Sequence, residues 1–458
     1  MEQMDFSNSM QNILTYGGLS ELDKKRVITS INAFAALDDQ FSSDDDVRKL
    51  RRELNSYFYE IYKAVFFKTL EDNSIPTEIM MFMYFGYIDE QLAGKENTEL
   101  LYHAARSMGM DEEMRVFTFY QWLRLIYICK KDPSVNEFSV DYVTDLRKKK
   151  REGSITEAQE RALLDDGKKR VIFEIDSMFK NANRMMSDRI TTFVPFFCGQ
   201  AVSKPIEKTL LSFAIINKTL DIIRAVDFSL FFRQTVFTAP ELGLDKAFIN
   251  VEVLPDIILM PCVGARGAMW QEITGAKRTT PGRFLLPIAQ EEELSKILIT
   301  LCGEFRWELC KRIQGARWND LSERSLTSDY VDYIDTYKKN HELSQEAKER
   351  VKSAMAKHRN SYKEMFVADY LTYIQYESQG AIRHNKVARM ILFNYCPFSK
   401  PVREGAIATN PQYTQLIERY KNKNAHEIHL FDIAVGRIEK AGHQVPGELK
   451  KHADFLRS

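Results

Sequence analysis

The chain has 458 residues, 44% of them hydrophobic, and 64 Lys+Arg balance 64 Asp+Glu to a formal net charge of +0. That length exceeds one ordinary core and predicts two or three domains. The balanced charge excludes a global attraction to nucleic acid or to a membrane surface, so any anion site must be a local patch.

In chain order, residues 1–20 are polar and interrupted by Gly17 and Gly18, and read as a flexible leader without signal-peptide features. Residues 21–39, 47–70, 79–92, 99–108 and 112–129 carry apolar side chains at helical spacing and predict a helical bundle over 21–135. The run 79–88 is too short to span a bilayer, which needs about 20 apolar residues. A charged linker and connecting helix follow over 136–188. Its basic run (DLRKKKRE, 145–152) is closely flanked by acids, which favours a solvated helix end over a nucleic-acid contact. Ser154 followed by Glu157 predicts a capping box there.

A central α+β domain is expected over 189–400. Residues 190–201 lean towards strand but contain Pro195, which suits an extended or edge segment. Residues 205–232 predict a core helix. FINVEV (248–253), DIILMPC (256–262), RGAMWQEI (266–273) and RFLLPI (283–288) are strand-length and predict one small antiparallel sheet covered by helices. Helices are expected at 291–314, 328–340, 344–377, 381–395 and 411–423, and a helical tail over 401–458 broken at Gly442 and Pro446. The fold class is therefore mostly α (α+β), an N-terminal bundle followed by a larger helical domain with one small sheet. The six cysteines are scattered without a CxxC pair, which suits a reducing cytoplasm.

No nucleotide-binding glycine loop, Walker lysine or GxSxG elbow occurs. Val263-Gly-Ala-Arg-Gly267 reads as a hairpin turn. Gly303 and Trp307 flank Glu304 where a zincin would carry two metal-binding histidines, so only a degenerate zincin scaffold could lie here. His426 and His429, with Asp432 one turn on, face the same side of a helix. No cofactor is expected. The strongest constellation is Arg306, Arg312, Arg317 and Trp318, joined by the Lys277, Arg278, Thr279, Thr280 turn. Guanidinium groups among indoles suit a planar or phosphorylated anion. The competing reading pairs Arg306 and Arg312 with Glu304 and Glu308 on the same helix. Arg383, Lys386 and Arg389 form a second basic set, and Tyr330, Tyr333 and Tyr337 a tyrosine stripe that fits a protein interface or the molecule's own core.

VIFEIDSMFK (171–180), TPGRFLLPI (280–288) through GEFRWELCKRIQGARWNDLSERSLTSDYVDYIDTYKKNHELS (303–344), and RNSYKEMFVADYLTYIQYESQGAIRHNKVARMILFNYCPFS (359–399) resemble an uncharacterised bacterial protein family. Some of its members are associated with cyclic-nucleotide-binding regulatory domains. The resemblance implies a bacterial cytoplasmic protein, and the chain itself shows no phosphate-binding Gly-Glu loop followed by Arg-x-Ala in a β-roll. The expected function is a non-enzymatic binding, regulatory or assembly protein. Its partner would be a protein, a second copy or a small anion. A hydrolase-like enzyme is the alternative.

Overall fold

The computed structural model describes residues 9–40, 42–88, 94–108, 115–127, 139–182, 185, 196–197, 205–270 and 282–458. The chain divides into two compact units, Met1–Asn217 with Asp256–Ile297, and Lys218–Pro255 with Leu298–Ser458. These do not follow the linear boundaries expected at 135, 188 and 400, because the strands from Asp256 onwards pair with a strand of the N-terminal bundle. The mostly helical fold class holds.

The first unit packs α1 (Ser9–Tyr16), α2 (Glu21–Ala35), α3 (Asp45–Thr69), α4 (Thr77–Phe85), α5 (Lys95–Ser107), α6 (Phe119–Tyr127), α7 (Ser139–Arg151), α8 (Glu157–Asp165) and α9 (Gly167–Ala182). The expected leader from Ser9 on is a docked helix: Met10, Ile13 and Leu14 recur at helical spacing and are buried. The capping box lies two residues beyond the expected place. Thr156 caps α8, and Gln159 returns to its backbone.

The sheet of this unit is mixed rather than antiparallel. The short strand β2 (Val116–Thr118) pairs parallel with β6 (Asp256–Gly264), which pairs parallel with β8 (Arg283–Gln290), and β7 (Ala268–Trp270) runs antiparallel to β8. Every residue of β6 and β8 is buried. Unbroken apolar runs without alternation are what parallel strands covered on both faces require. A two-residue parallel pair joins β1 (Tyr87–Ile88) to β3 (Phe196–Phe197). At the N-terminal ends of the parallel strands the register sets Asp256 beside Arg283. Arg115 bonds Asp256 at 2.7 Å and Arg283 bonds Glu174 at 3.0 Å, all inside the unit.

The second unit takes FINVEV away from that sheet. Residues 248–253 alternate in polarity and form half of a hairpin, β4 (Phe232–Ala239) with β5 (Leu244–Glu252). Its inner side, with Phe237, Ile249 and Val251, packs on Phe431, Ile438 and Leu449. The expected core helix over 205–232 is broken into α10 (Ile206–Thr209) and α11 (Phe213–Val226), and its last residue, Phe232, opens β4. After α12 (Leu294–Gln314) come α13 (Leu326–Thr336), α14 (Gln345–Lys357), α15 (Tyr362–Gln375), α16 (Lys386–Tyr395), α17 (Lys400–Thr409), α18 (Thr414–Lys440) and α19 (Gly447–Arg457). The long helix expected over 344–377 is two helices, since Arg359 and Asn360 sit at φ of 52° and 57°, a left-handed turn no helix continues through. Among the described residues, no helix is long and apolar enough to cross a membrane.

Candidate functional site

The arginines expected to converge are separated by burial. Arg306 lies on α12 with its side chain only 9% exposed. Its Nε donates to Asp227 Oδ2 at 2.7 Å, and a terminal nitrogen donates to Oδ1 at 2.5 Å. Ser229 Oγ and the Tyr395 carbonyl accept its remaining bonds at 2.7 and 3.1 Å. Tyr370 adds a third donor to Asp227, at 2.7 Å. Burial works against the Arg306 charge, but the Asp227 carboxylate outweighs it and holds its pKa well above the ordinary value. Arg306 is therefore an interior ion pair, and its partner is Asp227 rather than Glu304. Both glutamates face Lys363 instead, Glu304 at 3.7 Å and Glu308 at 3.3 Å.

Gly303 and Trp307, at the zincin ligand positions, serve packing. A Cβ at Gly303 would stand 3.0 Å from the Tyr370 ring. Trp307 is buried against Tyr330 and Phe366. The nearby thiols are poor nucleophiles: burial pushes Cys302 up, and burial pushes Cys396 up to about 12.

Arg312 is also buried. Arg317 is the exposed member, 69% accessible and bonded to Glu323 at 2.7 Å. Trp318 is half-buried, edge-on to Trp307, with the Lys311 ammonium 4.4 Å from its ring centre. Lys277 and Arg278, with the rest of their turn, lie outside the described residues. Tyr330, Tyr333 and Tyr337 are buried, so that stripe is core and not surface. His426 and His429 are exposed on α18, and Asp432 is engaged by Arg457 at 3.0 Å. No group of three or more metal-binding side chains stands together among the described residues. Three lysines of the basic run lie within ion-pair distance of acids: Lys148 of Glu152, Lys149 of Asp145, and Lys150 of Glu160.

The most elaborate polar assembly is one that sequence reasoning missed. Glu377, fully buried just after α15, accepts the backbone N–H groups of Arg383 and His384 at 2.8 and 2.6 Å on one oxygen. Its other oxygen accepts Arg389 Nε at 3.0 Å and the Tyr413 hydroxyl. Arg389 also donates to the His384 carbonyl at 2.7 Å and to Gln412. The His384 ring stands between two carboxylates, Nδ1 3.2 Å from Glu377 and Nε2 3.6 Å from Asp369. Neither nitrogen makes a well-aligned hydrogen bond in this geometry. Burial disfavours the charged ring, yet Asp369 and Glu377 outweigh it and raise its pKa to about 9. Burial likewise opposes the Glu377 charge, and its contacts with His384, Arg389 and Tyr413 hold the carboxyl far below its usual range.

This network fixes the loop from Tyr376 to Asn385, whose turn passes through Gly380 at φ 92°. Tyr376 and Ile382 are 47% and 52% exposed on that loop, and the Arg383 guanidinium lies 5.5 Å from the Tyr376 ring centre. Ile407 of α17 is 38% exposed, and Thr409 of the same helix closes on Gly380. The signal was present in Arg383 and Arg389, already grouped as a basic set. What was absent from that grouping was a buried acid for them to serve.

A domain of unknown function (DUF8509) matches residues 315–455, which lie wholly within the second unit and include this loop. No curated protein and no solved structure matches the chain.

Proposed function

We propose that the chain is a non-enzymatic binding or assembly protein, and that the 376–385 loop of the DUF8509 segment is its protein-partner surface. One observation carries the reading: the buried Glu377 carboxylate gathers two backbone N–H groups, Arg389 and Tyr413 to hold that loop in one shape. A buried charged network is a poor source of net stability compared with apolar packing. It is a good source of a unique conformation, and a loop ordered in advance loses less entropy on binding. The side chains it displays, Tyr376, Ile382 and Arg383, combine an aromatic, a large aliphatic and a guanidinium, types that anchor protein interfaces.

The hydrolase-like alternative needs an accessible nucleophile beside a base. The thiols near Arg306 are buried and their pKa values are raised, which counts against it. The free thiols at Cys262, Cys302, Cys310 and Cys396 support a reducing cytoplasm. The resemblance to an uncharacterised bacterial family overlaps the matched segment and supports a bacterial cytoplasmic setting. Arg317, exposed, and Trp318, half-buried, remain the accessible part of the proposed anion site.

The test is paired capture from lysate by wild type and Ile382→Glu. The expected result is a partner retained by wild type and lost by the variant, with unchanged melting temperature. A partner held equally by both would overturn the loop as the surface.

A further inference from the structure

Away from that loop, the hairpin of the second unit has an open strand edge, and we propose that this edge pairs antiparallel with the same edge of a second copy of the chain. The backbone directions follow from two contacts. Val253 N–H donates to the Phe231 carbonyl at 2.6 Å, extending the register in which Phe232 faces Glu252. Hydrogen-bonded and non-hydrogen-bonded pairs alternate along an antiparallel ladder. Phe231, Arg233, Thr235 and Phe237 therefore turn their backbone groups towards β5, and Gln234 and Val236 turn theirs outwards. Asn250, opposite Gln234, fits the same alternation. Its N–H leaves the ladder on the far side and donates to His452 Nδ1 of α19 at 3.1 Å. The outer edge of β5 is thus occupied by α19. The outer edge of β4 faces no third strand among the described residues.

A row of unpaired N–H and C=O groups is a template for another strand, and natural edges are usually blunted by lysine, proline or a bulge. In β4 the bulge comes only after Phe237, so 232–237 is regular, and the strand holds neither lysine nor proline. Gln234, Val236 and Thr238 are exposed and uncharged, with Val236 at 50% and its neighbour Phe248 at 54%. Charge favours a second copy as the occupant. A twofold axis through Thr235 sets Gln234 opposite Val236 of the other copy and joins them by about four backbone hydrogen bonds. Arg233, the one charged residue of the strand, then falls opposite Phe237, and no like charges meet.

Sedimentation of the full chain over a concentration series, with two kinds of variant, tests this. Wild type should show a monomer–dimer equilibrium. Val236→Pro removes an outward N–H that β5 does not use, so the hairpin tolerates it. It should raise the dimer dissociation constant roughly 10-fold or more. Thr235→Cys places one thiol facing its own copy on the axis, where opposite Cβ atoms lie about 4.5–5.5 Å apart. It should form a reducible dimer under mild oxidation, measured against wild type to account for the native thiols, whereas Val236→Cys should cross-link far less. This pair of cysteine variants carries the test if the proline variant misfolds. Wild type that is monomeric at every concentration overturns the proposal, including the case where the edge takes only a strand from another protein. Equal cross-linking at 235 and 236, or a dimer indifferent to Val236→Pro in a folded variant, overturns it as well.

Discussion

Arg306-Trp307 and Arg317-Trp318 are the same dipeptide on one stretch of chain, and they end in opposite environments. Arg306 is 9% exposed and grips Asp227 with two bonds, while Trp307 is locked in an aromatic cluster. Arg317 is 69% exposed and pairs with Glu323, while Trp318 is half-buried under Lys311. What separates them is distant in sequence. Asp227 and Ser229, at the end of α11, supply Arg306 with acceptors, and Tyr370 of α15 completes the group. A guanidinium can be buried only where such acceptors await it. The chemistry of an arginine is therefore legible from its own neighbours in sequence only when it stays on the surface.

The largest effect should come from Arg306. Replacing it with Met leaves the Asp227 carboxylate buried without its counter-ion, a loss expected to cost about 3–5 kcal/mol. Chemical denaturation should show it as a lower midpoint. Replacing Asp227 with Leu in the same chain should recover a substantial part, because the orphaned charge is then gone. A single-variant loss below about 1 kcal/mol would break the comparison.

Legibility divides along the same line. The helices were readable because their apolar spacing is local, as in α3, α16 and α19. The hairpin half at 248–253 was readable as a strand, but its partner at 232–239 was not, since it begins only at the last residue of a run that scans as helix. The parallel pairing of β6 with β2 was unreadable, since it joins residues 257 and 116 and leaves no local mark beyond an unbroken apolar run. At the candidate site, Arg383 and Arg389 drew attention by charge. Glu377 did not, because a lone acid after a helix looks like any solvated side chain until Tyr413 and the 383–384 backbone close over it.

A smaller effect should follow pH. His384 is held by Asp369 and Glu377, with Arg389 and Tyr413 on the far side of Glu377 and Tyr330 bonded to Asp369 at 2.7 Å. Its pKa is about 9 in the folded protein against 6.5 for the free side chain. A group raised on folding stabilises fully below its unfolded pKa and loses that contribution as pH climbs through the folded one. Stability should therefore fall between roughly pH 6.5 and 9, by up to about 3 kcal/mol, a ceiling because the ring is coupled to two acids. His384→Gln should flatten the profile across that window. If wild type and variant show parallel profiles from pH 6 to 9, the ring is not charged between its carboxylates.

The smallest structural effect belongs to Arg317, and it decides most about the anion site. Its bond to Glu323 is a surface pair between mobile side chains, of a kind that contributes little once solvent and salt screen it. Arg317→Glu should accordingly leave the melting temperature unchanged within error. If Arg317 and Trp318 hold an anion, a nucleotide or sugar phosphate should raise the wild-type melting temperature and should fail to raise that of the variant, because ligand binding adds stability in proportion to the logarithm of ligand over Kd. Arg306 cannot contribute, since Asp227, Ser229 and Tyr395 already take its donors. The exposed guanidinium would have to pair its phosphate while giving up Glu323, and high salt should weaken that exchange. A thermal shift that survives Arg317→Glu would place the anion elsewhere. No shift with any phosphorylated compound would leave Arg317 as a solvated residue of the turn after α12 and the loop at 376–385 as the surface to pursue.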